Sequence, residues 1–264
     1  AGVPEILEVE AARRLIEQRA LGRAVSHVDA KDAWYLKRGL TADALDVALP
    51  GRELTDARRR GKLLLLDTSR DGPVLGLHLG MSGRVVIDGA AAGDPLLYTS
   101  NDDRPEWYRF RVHFTDGGSL ALRDPRRLGA VELDPDEDRL GPDALTLTRA
   151  ELDGALDRSR APLKAILMDQ SRVAGLGNLL VDEALWRAGL DPERAAGSLA
   201  DDERRTLQRA IRTTVRVLGR RGGSHTGDLM PARVPGGMCP KDGAPLLRRT
   251  VGGRTTYSCP LHQT

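Results

Sequence analysis

The sequence has only two cysteines among its 264 residues, Cys239 and Cys259. So few cysteines argue against a disulfide framework, although a single bridge between them stays open for an oxidising compartment. No apolar run approaches the roughly 20 residues that span a bilayer. Glu5, Glu8 and Glu10 stand where a signal peptide needs basic residues. These absences favour a soluble cytoplasmic protein over a secreted or membrane protein.

The sequence also lacks a large net charge, since 40 Lys and Arg oppose 38 Asp and Glu, which leaves +2. The charges are nevertheless unevenly spread. Residues 131–157 hold nine acidic and two basic side chains, residues 233–264 hold one acidic and five basic ones, and "RRRGK" fills positions 58–62. This asymmetry suits a protein with one face turned to nucleic-acid phosphates. A solvated charged surface is the alternative interpretation.

A chain of 264 residues with 40% hydrophobic residues is long enough for two domains and a small appendage. In "PEILEVEAARRLIEQRALG", Leu7, Ala11 and Leu15 recur at helical spacing. Pro4 suits the start of a helix and Gly22 suits its end. The stretch therefore predicts an amphipathic first helix.

The segments after this helix read as a β-rich domain. "KLLLLDTS", "VLGLHLGMSGRVVI" and "WYRFRVHFTDGGSLALRD" are short apolar or alternating runs bounded by Gly and Asp, and "TDGGS" is typical of a hairpin turn. The acidic stretch "ELDPDEDRLGPD" indicates a linker, and helical patterns follow to about residue 221. The last 30 residues favour two short hairpins.

The C-terminal "CPKDGAPLLRRTVGGRTTYSCPLH" has the spacing of a four-ligand zinc ribbon. Cys239-x2-Asp242 is followed after sixteen residues by Cys259-x2-His262. All four are residue types that bind zinc, although carboxylates are uncommon in structural sites. A zinc site, a metal-free hairpin and a disulfide are the three interpretations.

In "VAGLGNLLVDEALWRAGL", Gly175 and Gly177 precede Asn178 at the start of an apolar-periodic helix. Exposed backbone N–H groups and a short amide at a helix N-terminus make a phosphate site. Simple capping of the helix is the alternative.

Several of these stretches, in order along nearly the whole chain, resemble the bacterial formamidopyrimidine-DNA glycosylase and endonuclease VIII family of base-excision repair enzymes. The resemblance rests on "PEILEVE", "RRRGKLLLLD", "HLGMSG", "DPRRLG", "LMDQSRVAGLGNLLVDEALWRAGLDP" and "GGRTTYSCPLHQ". It implies an α+β multidomain clamp for DNA. We expect an N-terminal β-sandwich with a first helix over residues 1–133, a helix-two-turn-helix domain over 134–232, and a zinc-finger-like hairpin over 233–264.

The resemblance also implies roles in DNA binding. Lys62, Asn178 and Arg254 match residues that bind phosphate at the damaged nucleotide. His78 matches a position near DNA.

Three further matches fill the gap that a flipped-out nucleotide leaves: Met81, Arg126 and Leu128. A flexible thioether, a donor-rich guanidinium and an apolar wedge can recover part of the cost of extrusion. By pattern alone, Met81 and Leu128 are typical of core residues. Leu128 replaces the phenylalanine usual in the formamidopyrimidine branch, which weakens stacking on the remaining bases.

The family enzyme begins with a proline whose secondary amine attacks C1′, and the next glutamate serves as acid and base. Here Pro4-Glu5 follows three residues, so the Pro4 nitrogen is an amide and cannot form a Schiff base. Three interpretations remain. The α-amine of Ala1 replaces it as nucleophile; or Glu5 activates water without a lyase step; or the protein binds damage without catalysis. The candidate catalytic residues are Glu5, Pro4, Ala1 and Lys62. Glu5 can also simply favour the helix N-terminus.

Together these features predict a DNA glycosylase that flips and excises a damaged base, with AP lyase activity in doubt. The alternative is a non-catalytic damaged-DNA-binding protein. The expected partner is damaged double-stranded DNA, with no membrane, a monomeric state, a structural zinc ion and a cytoplasmic, nucleoid-associated location. The sequence does not name the lesion.

Overall fold

The computed structural model describes residues 3–92 and 103–264. The chain divides into two compact units, residues 1–137 and 138–264. Each unit is described by itself. The predicted boundaries at 133/134 and 232/233 stay a prediction.

The first unit begins with the predicted helix, α1 (Ile6–Arg19). Ile6, Val9, Ala12 and Ile16 are buried along it, because apolar residues three or four positions apart lie on one face. The prediction of an amphipathic first helix is confirmed.

Two antiparallel sheets follow, as the β-rich pattern predicts. One has five strands in the order β1-β7-β8-β5-β6 and the other four in the order β2-β3-β4-β9. The strands are β1 (Val25–Asp29), β2 (Leu54–Arg60), β3 (Leu63–Thr68), β4 (Leu75–His78), β5 (Arg84–Ile87), β6 (Ala90–Ala91), β7 (Tyr108–Phe114), β8 (Ser119–Arg123) and β9 (Ala130–Leu133). The predicted "TDGGS" turn joins β7 to β8, with Gly117 at a φ of 89°.

One continuous hydrophobic core joins the two sheets and α1. It contains Val112 and Leu120 from the five-stranded sheet, Leu64 and Leu77 from the four-stranded sheet, and Val9 from α1. Apolar residues of both sheets thus share one interior, as in a β-sandwich. A short helix, α2 (Ala42–Ala48), lies between β1 and β2 in sequence, and its Leu45 belongs to the same core.

The predicted linker "ELDPDEDRLGPD" is wrong at its start, because Glu132 and Leu133 belong to β9. Glu132 is 2% exposed and accepts a hydrogen bond from His78, so this acidic residue has a buried partner and extends the strand. A single 3-10 turn, Glu137–Arg139, follows in the predicted linker.

The second unit is helical, as the periodicity predicts. Its helices are α3 (Arg149–Leu156), α4 (Leu163–Met168), α5 (Asn178–Ala188) and α6 (Asp201–Arg221). The helix α5 begins after Gly177 and ends at Gly189, whose φ of 74° is the left-handed conformation that closes helices. Both α6 and the C-terminal strand β11 (Arg254–Ser258) pack against α5.

The C-terminal segment contains one two-stranded hairpin, β10 (Leu247–Val251) and β11 (Arg254–Ser258). Its turn is Gly252-Gly253, both with positive φ, which a two-residue hairpin turn requires. The second predicted hairpin is a tight turn closed by an isolated bridge from Met238 to Pro245. The α+β fold with two sheets, a helical domain and a terminal hairpin is confirmed.

Candidate DNA-binding surface and metal site

The N-terminus of α1 carries Pro4 and Glu5, both buried, and Glu5 is 1% exposed. Glu5 has extended backbone angles, and its N–H donates to the Glu8 carboxylate at 2.8 Å, which closes the first turn of the helix. A buried carboxyl group at a helix N-terminus is favoured by the dipole and shielded from solvent. Ala1 lies outside the described residues.

Lys62 lies in the turn between β2 and β3, next to Gly61 with a φ of 57°. Arg59 fixes this turn to α1, because its guanidinium donates to Glu10 at 3.0 Å and to the Gly61 carbonyl at 2.9 Å. Burial raises the pKa of Glu10, but hydrogen bonds from Arg13 and Arg59 outweigh it and hold the pKa below its ordinary value. Glu10 therefore ties the Lys62 turn to the helix as an anion.

The residues predicted to fill the gap in DNA lie on two loops that the structure brings together. Met81 precedes Ser82 on the β4–β5 loop, and Arg126 and Leu128 lie on the loop after β8. The carboxylate of buried Asp124 accepts a hydrogen bond from the Ser82 hydroxyl.

Two further bonds tighten this connection. Ser82 Oγ accepts the Arg126 N–H at 3.0 Å, and Asp124 Oδ2 accepts the Gly129 N–H at 2.7 Å. The loops are so close that a Cβ at Gly80 would lie 2.3 Å from the Leu128 carbonyl carbon. Only glycine fits this position, which also has a φ of 57°.

Leu128 is 51% exposed, so the interpretation of Leu128 as a core residue is wrong. Arg126 is also exposed, and Met81 is partly buried. A large apolar side chain held outward beside an arginine suits insertion between bases. Arg127, with a φ of 56°, turns the chain between them and pairs with Asp32.

His78 is not a core histidine, since a third of its side chain is exposed. Its Nε2 lies 2.8 Å from the carboxylate of Glu132, which also pairs with Arg38 at 2.9 Å. The ring is therefore held at the end of β4 with one nitrogen engaged.

In the second unit, Asn178 and Arg254 lie close together. Asn178 is the first residue of α5, and its amide donates to the carbonyl of Thr255 at 3.0 Å, one residue beyond Arg254. Arg254 is exposed at the hairpin turn. The hydrogen bond thus holds the start of α5 against the hairpin, one residue from Arg254.

A buried ion network beneath this hairpin was missed in the sequence. Lys164 on α4 is fully buried and donates to Asp182 at 2.6 Å and to Thr256 at 2.8 Å. Asp182 also accepts from the Tyr257 N–H at 3.1 Å and pairs with Arg233. Charged residues inside apolar runs are the signal that could have found it: one lysine in "LKAILM" and two acidic residues in "NLLVDEALW".

The four predicted metal ligands do come together. One ligand atom from each of Cys239, Asp242, Cys259 and His262 lies within 4.8 Å of the others. Cys239 Sγ is 3.8 Å from His262 Nδ1, and Cys259 Sγ is 3.2 Å from Asp242 Oδ2. A tetrahedral zinc site needs ligand separations of about 3.3–3.8 Å. Both cysteines are free thiols, so the disulfide interpretation is not supported.

The surroundings of the cluster orient its ligands. His262 Nε2 donates to the carbonyl of Trp186 at 3.1 Å, which turns Nδ1 toward the other three ligands. The Trp186 indole N–H donates to Cys239 Sγ at 3.2 Å. Hydrogen bonds from the Ala244 N–H and, to a lesser extent, from His262 keep the pKa of Asp242 well below its ordinary value. Burial raises the pKa of the Cys259 thiol. The donor set is one that binds zinc, and the four side chains are close enough together to hold a metal ion.

Among the helices that the structure describes, none is long and apolar enough to cross a membrane. This finding agrees with the sequence, where no apolar run reaches that length.

Comparisons with known proteins agree over the whole chain. The model of the formamidopyrimidine-DNA glycosylase N-terminal domain matches residues 3–131, and that of its H2TH domain matches residues 140–228. The formamidopyrimidine-DNA glycosylase of Paracoccus denitrificans is 34% identical over 99% of this chain and 100% of its own length. The formamidopyrimidine-DNA glycosylase of Thermus thermophilus is 33% identical over 99% of this chain and 98% of its own length.

Solved structures give the same result. The Lactococcus lactis Fpg in complex with DNA containing an abasic site has a TM-score of 0.82 at 26% identity, over 98% of this chain and 99% of that one. The complex of the same Lactococcus lactis protein with Fapy-dG-containing DNA also has a TM-score of 0.82 at 26% identity, over 98% of this chain and 100% of that one. The chain belongs to the formamidopyrimidine-DNA glycosylase family.

Proposed function

We propose that this protein is a base-excision repair DNA glycosylase that turns a damaged nucleotide out of duplex DNA and removes its base. The observation that carries this function is the pair of cross-linked loops that hold exposed Leu128 beside Met81 and Arg126. An outward apolar side chain next to a long donor suits the space that a flipped nucleotide leaves. Family membership and the Pro-Glu start of α1 support the same function.

We assign excision to Glu5. In this step Glu5 takes a proton from water, the water oxygen bonds to C1′, and the C1′–N bond breaks with its electron pair leaving on the base. Burial at 1% exposure and the position before α1 support this role, because the carboxyl group is held in one place and away from bulk solvent.

In this chain Val3 precedes Pro4, so the Pro4 nitrogen is an amide without a nucleophilic lone pair. The family's lyase step needs an amine that condenses with C1′. We therefore propose base removal without strand cleavage for any form in which Val3 precedes Pro4. The Ala1 amine is the competing nucleophile.

We further propose that Lys62, Asn178 and Arg254 bind phosphates and that His78 lies near the DNA. Two of these, Asn178 and Arg254, lie side by side in the second unit, and their amide and cationic donors match phosphate oxygens. The chromosome is the substrate of such an enzyme, so we propose the nucleoid as its location.

For the C-terminal cluster we propose a structural zinc ion held by Cys239, Asp242, Cys259 and His262. The ion would cross-link the tight turn after Met238 to the end of β11. All four ligand positions are filled by protein side chains, which is the pattern of a structural site rather than a catalytic one.

The main test separates a glycosylase from a non-catalytic damage-binding protein. Duplexes with different damaged bases are incubated with the protein, with Glu5→Gln, and with Glu17→Gln as a control on the exposed side of the same helix. We expect base release by the protein and by Glu17→Gln, and at least about a 100-fold loss with Glu5→Gln. Lesion-selective binding without release from any duplex would show the non-catalytic alternative to be right.

The lyase step is tested by borohydride trapping on abasic DNA. We compare the chain that begins at Ala1 with one that begins at Pro4. Weak trapping by the first and strong trapping by the second are expected. Efficient trapping mapped by mass spectrometry to the Ala1 amine would contradict this proposal.

A further inference from the structure

The longest helix of the second unit, α6, carries a row of arginines. From residue 204 to residue 227 the sequence contains seven arginines and no acidic residue. Five of the arginines follow one another at intervals of four, three, four and four positions: Arg205, Arg209, Arg212, Arg216 and Arg220. Such intervals place side chains on one face of an α-helix.

This arginine row lies opposite the face that α6 buries. Leu207, Ile211 and Leu218 are buried in the second unit, whereas all five arginines are exposed. At 100° per residue, the five arginines fall within about 60° of a line directly opposite those buried residues. At 1.5 Å per residue, the row is about 22 Å long.

The other arginines of α6 have acidic partners. Arg204 pairs with Asp157 at 2.7 Å, and Arg221 pairs with Asp228 at 2.7 Å. Within the row, Arg205 has such a partner, Asp201.

The remaining members of the row have no acidic neighbour in the part of the chain that the structure describes. Arg212 donates to the Leu147 carbonyl at 3.5 Å. Arg209, Arg216 and Arg220 have no acidic partner in residues 3–92 and 103–264. Like charges three or four positions apart on a helix repel one another. The row therefore carries electrostatic strain that an anionic partner would relieve.

The composition of this face decides between two kinds of anionic partner. Protein interfaces rely on buried apolar or aromatic anchors with charges at the rim. The large hydrophobic side chains that are exposed in the described part of the chain all lie outside α6. A nucleic-acid backbone needs only charge, because phosphate neutralisation supplies most of non-specific affinity.

We propose that the arginine row of α6 is a second, sequence-independent binding surface for the phosphate backbone of duplex DNA. It is separate from the phosphate ligands Asn178 and Arg254. Asn178 and Arg254 lie where α5 meets β11. The helix α6 packs on α5 with its buried face, and the arginine row lies on the opposite face of α6. One protein molecule can therefore hold a second DNA segment while a first one is bound at Asn178 and Arg254.

The test is capture of a second duplex. A duplex with an abasic-site analogue is immobilised and saturated with protein, and a labelled undamaged duplex is then added over a range of salt concentrations. We compare the protein with Arg216→Gln/Arg220→Gln and with a matched control, Arg158→Gln/Arg160→Gln, which removes two exposed arginines elsewhere in the same unit.

We expect the α6 variant to lose capture about tenfold or more and the slope of log K against log salt to fall by about 1.8. The control should capture normally, and all three proteins should bind the immobilised duplex equally and release the base equally from a separate duplex that contains a damaged base. Equal capture by the α6 variant would overturn the proposal. So would an acidic peptide of equal charge that displaces the second duplex at lower concentration, because the surface would then serve a protein partner. Base excision by the same samples separates either failure from a failure of the proposed function.

Discussion

Asp124→Asn is the substitution that best tests how the two DNA-reading loops are held. The Asp124 carboxylate is fully buried and accepts three hydrogen bonds, from the Ser82 hydroxyl, the Gly129 N–H at 2.7 Å and the Tyr35 hydroxyl at 3.1 Å. Asparagine keeps the shape but replaces one acceptor oxygen by an amide that can only donate. In either orientation of the amide, at least one of the three donors then loses its acceptor.

The magnitude follows from the bonds that are lost. A hydrogen bond to a charged acceptor contributes about 1.5–3 kcal/mol, and a buried donor left without a partner costs about 1–3 kcal/mol. We therefore expect Asp124→Asn to lower the free energy of unfolding by roughly 3–5 kcal/mol. Tyr35→Phe is the matched control, because it removes one bond and leaves Asp124 bonded to both loops. It should cost about 1–2 kcal/mol.

Denaturant unfolding measures these costs, and a fluorescent base opposite an abasic-site analogue reports whether the loops enter the duplex. We expect Asp124→Asn to lose the fluorescence rise of an unstacked base and about tenfold in preference for the lesion duplex, since Met81 and Leu128 are no longer held together. Tyr35→Phe should keep both. If Asp124→Asn lowers the free energy of unfolding by less than about 1 kcal/mol and keeps its preference for the lesion duplex, contacts other than this carboxylate hold the two loops.

Three other predictions concern the metal, the phosphates and pH. The purified protein should contain about one zinc per chain, and Cys259→Ala should lose both the metal and DNA affinity; a folded, DNA-binding sample without metal by elemental analysis would contradict the zinc site. Asn178→Ala and Arg254→Ala should each weaken binding to damaged and undamaged duplex alike and lower the salt slope by about 1, whereas unchanged slopes would exclude these phosphate contacts. Because the folded-state pKa of Glu10 lies below its ordinary value, the stability that Glu10 contributes is fully present above that ordinary value and is lost as pH falls through the folded pKa. Unfolding curves of Glu10→Gln should therefore show a weaker dependence on pH in the acid range than those of the unmodified protein, and identical dependence would show that the Arg59 tie carries no such stability.

Elements with a strong local pattern could be predicted from the sequence. The helix α1, the β7–β8 turn and the start of α5 after Gly177 all depend on residues within a few positions of one another. The four metal-ligand positions were predictable for a related reason, because the ligand spacing is itself a short pattern. The structure brings all four side chains together.

What the sequence could not show are contacts between residues far apart in it. Asp124 joins Tyr35, 89 positions away, and Ser82, 42 positions away. Lys164 meets Thr256 across 92 positions. Such polar residues look like solvated surface or linker until the fold buries them, which is also why Glu132 was assigned to a linker.

The interpretation of Leu128 as a core residue was wrong for the opposite reason. A leucine in a β-rich segment is typical of the core, but here the positive φ of Arg127 and the tie from Gly129 to Asp124 fix the loop so that Leu128 points outward. Backbone conformation decided its exposure, and hydrophobicity alone does not encode that conformation.

In the proposed zinc site, Asp242 and His262 stand where a four-cysteine finger has its second and fourth thiolates, and this changes the charge of the site. Four thiolates with Zn²⁺ carry a charge of about −2, whereas two thiolates, a carboxylate and a neutral imidazole carry about −1. Arg254 is five residues along β11 from Cys259, which is about 16 Å at 3.3 Å per residue. That distance exceeds the Debye length of about 8 Å at physiological salt, so the difference of one charge is largely screened at the arginine. We therefore expect the proposed zinc site to affect DNA binding by fixing the base of the hairpin, while the Lys164–Asp182 pair fixes the hairpin further along β11.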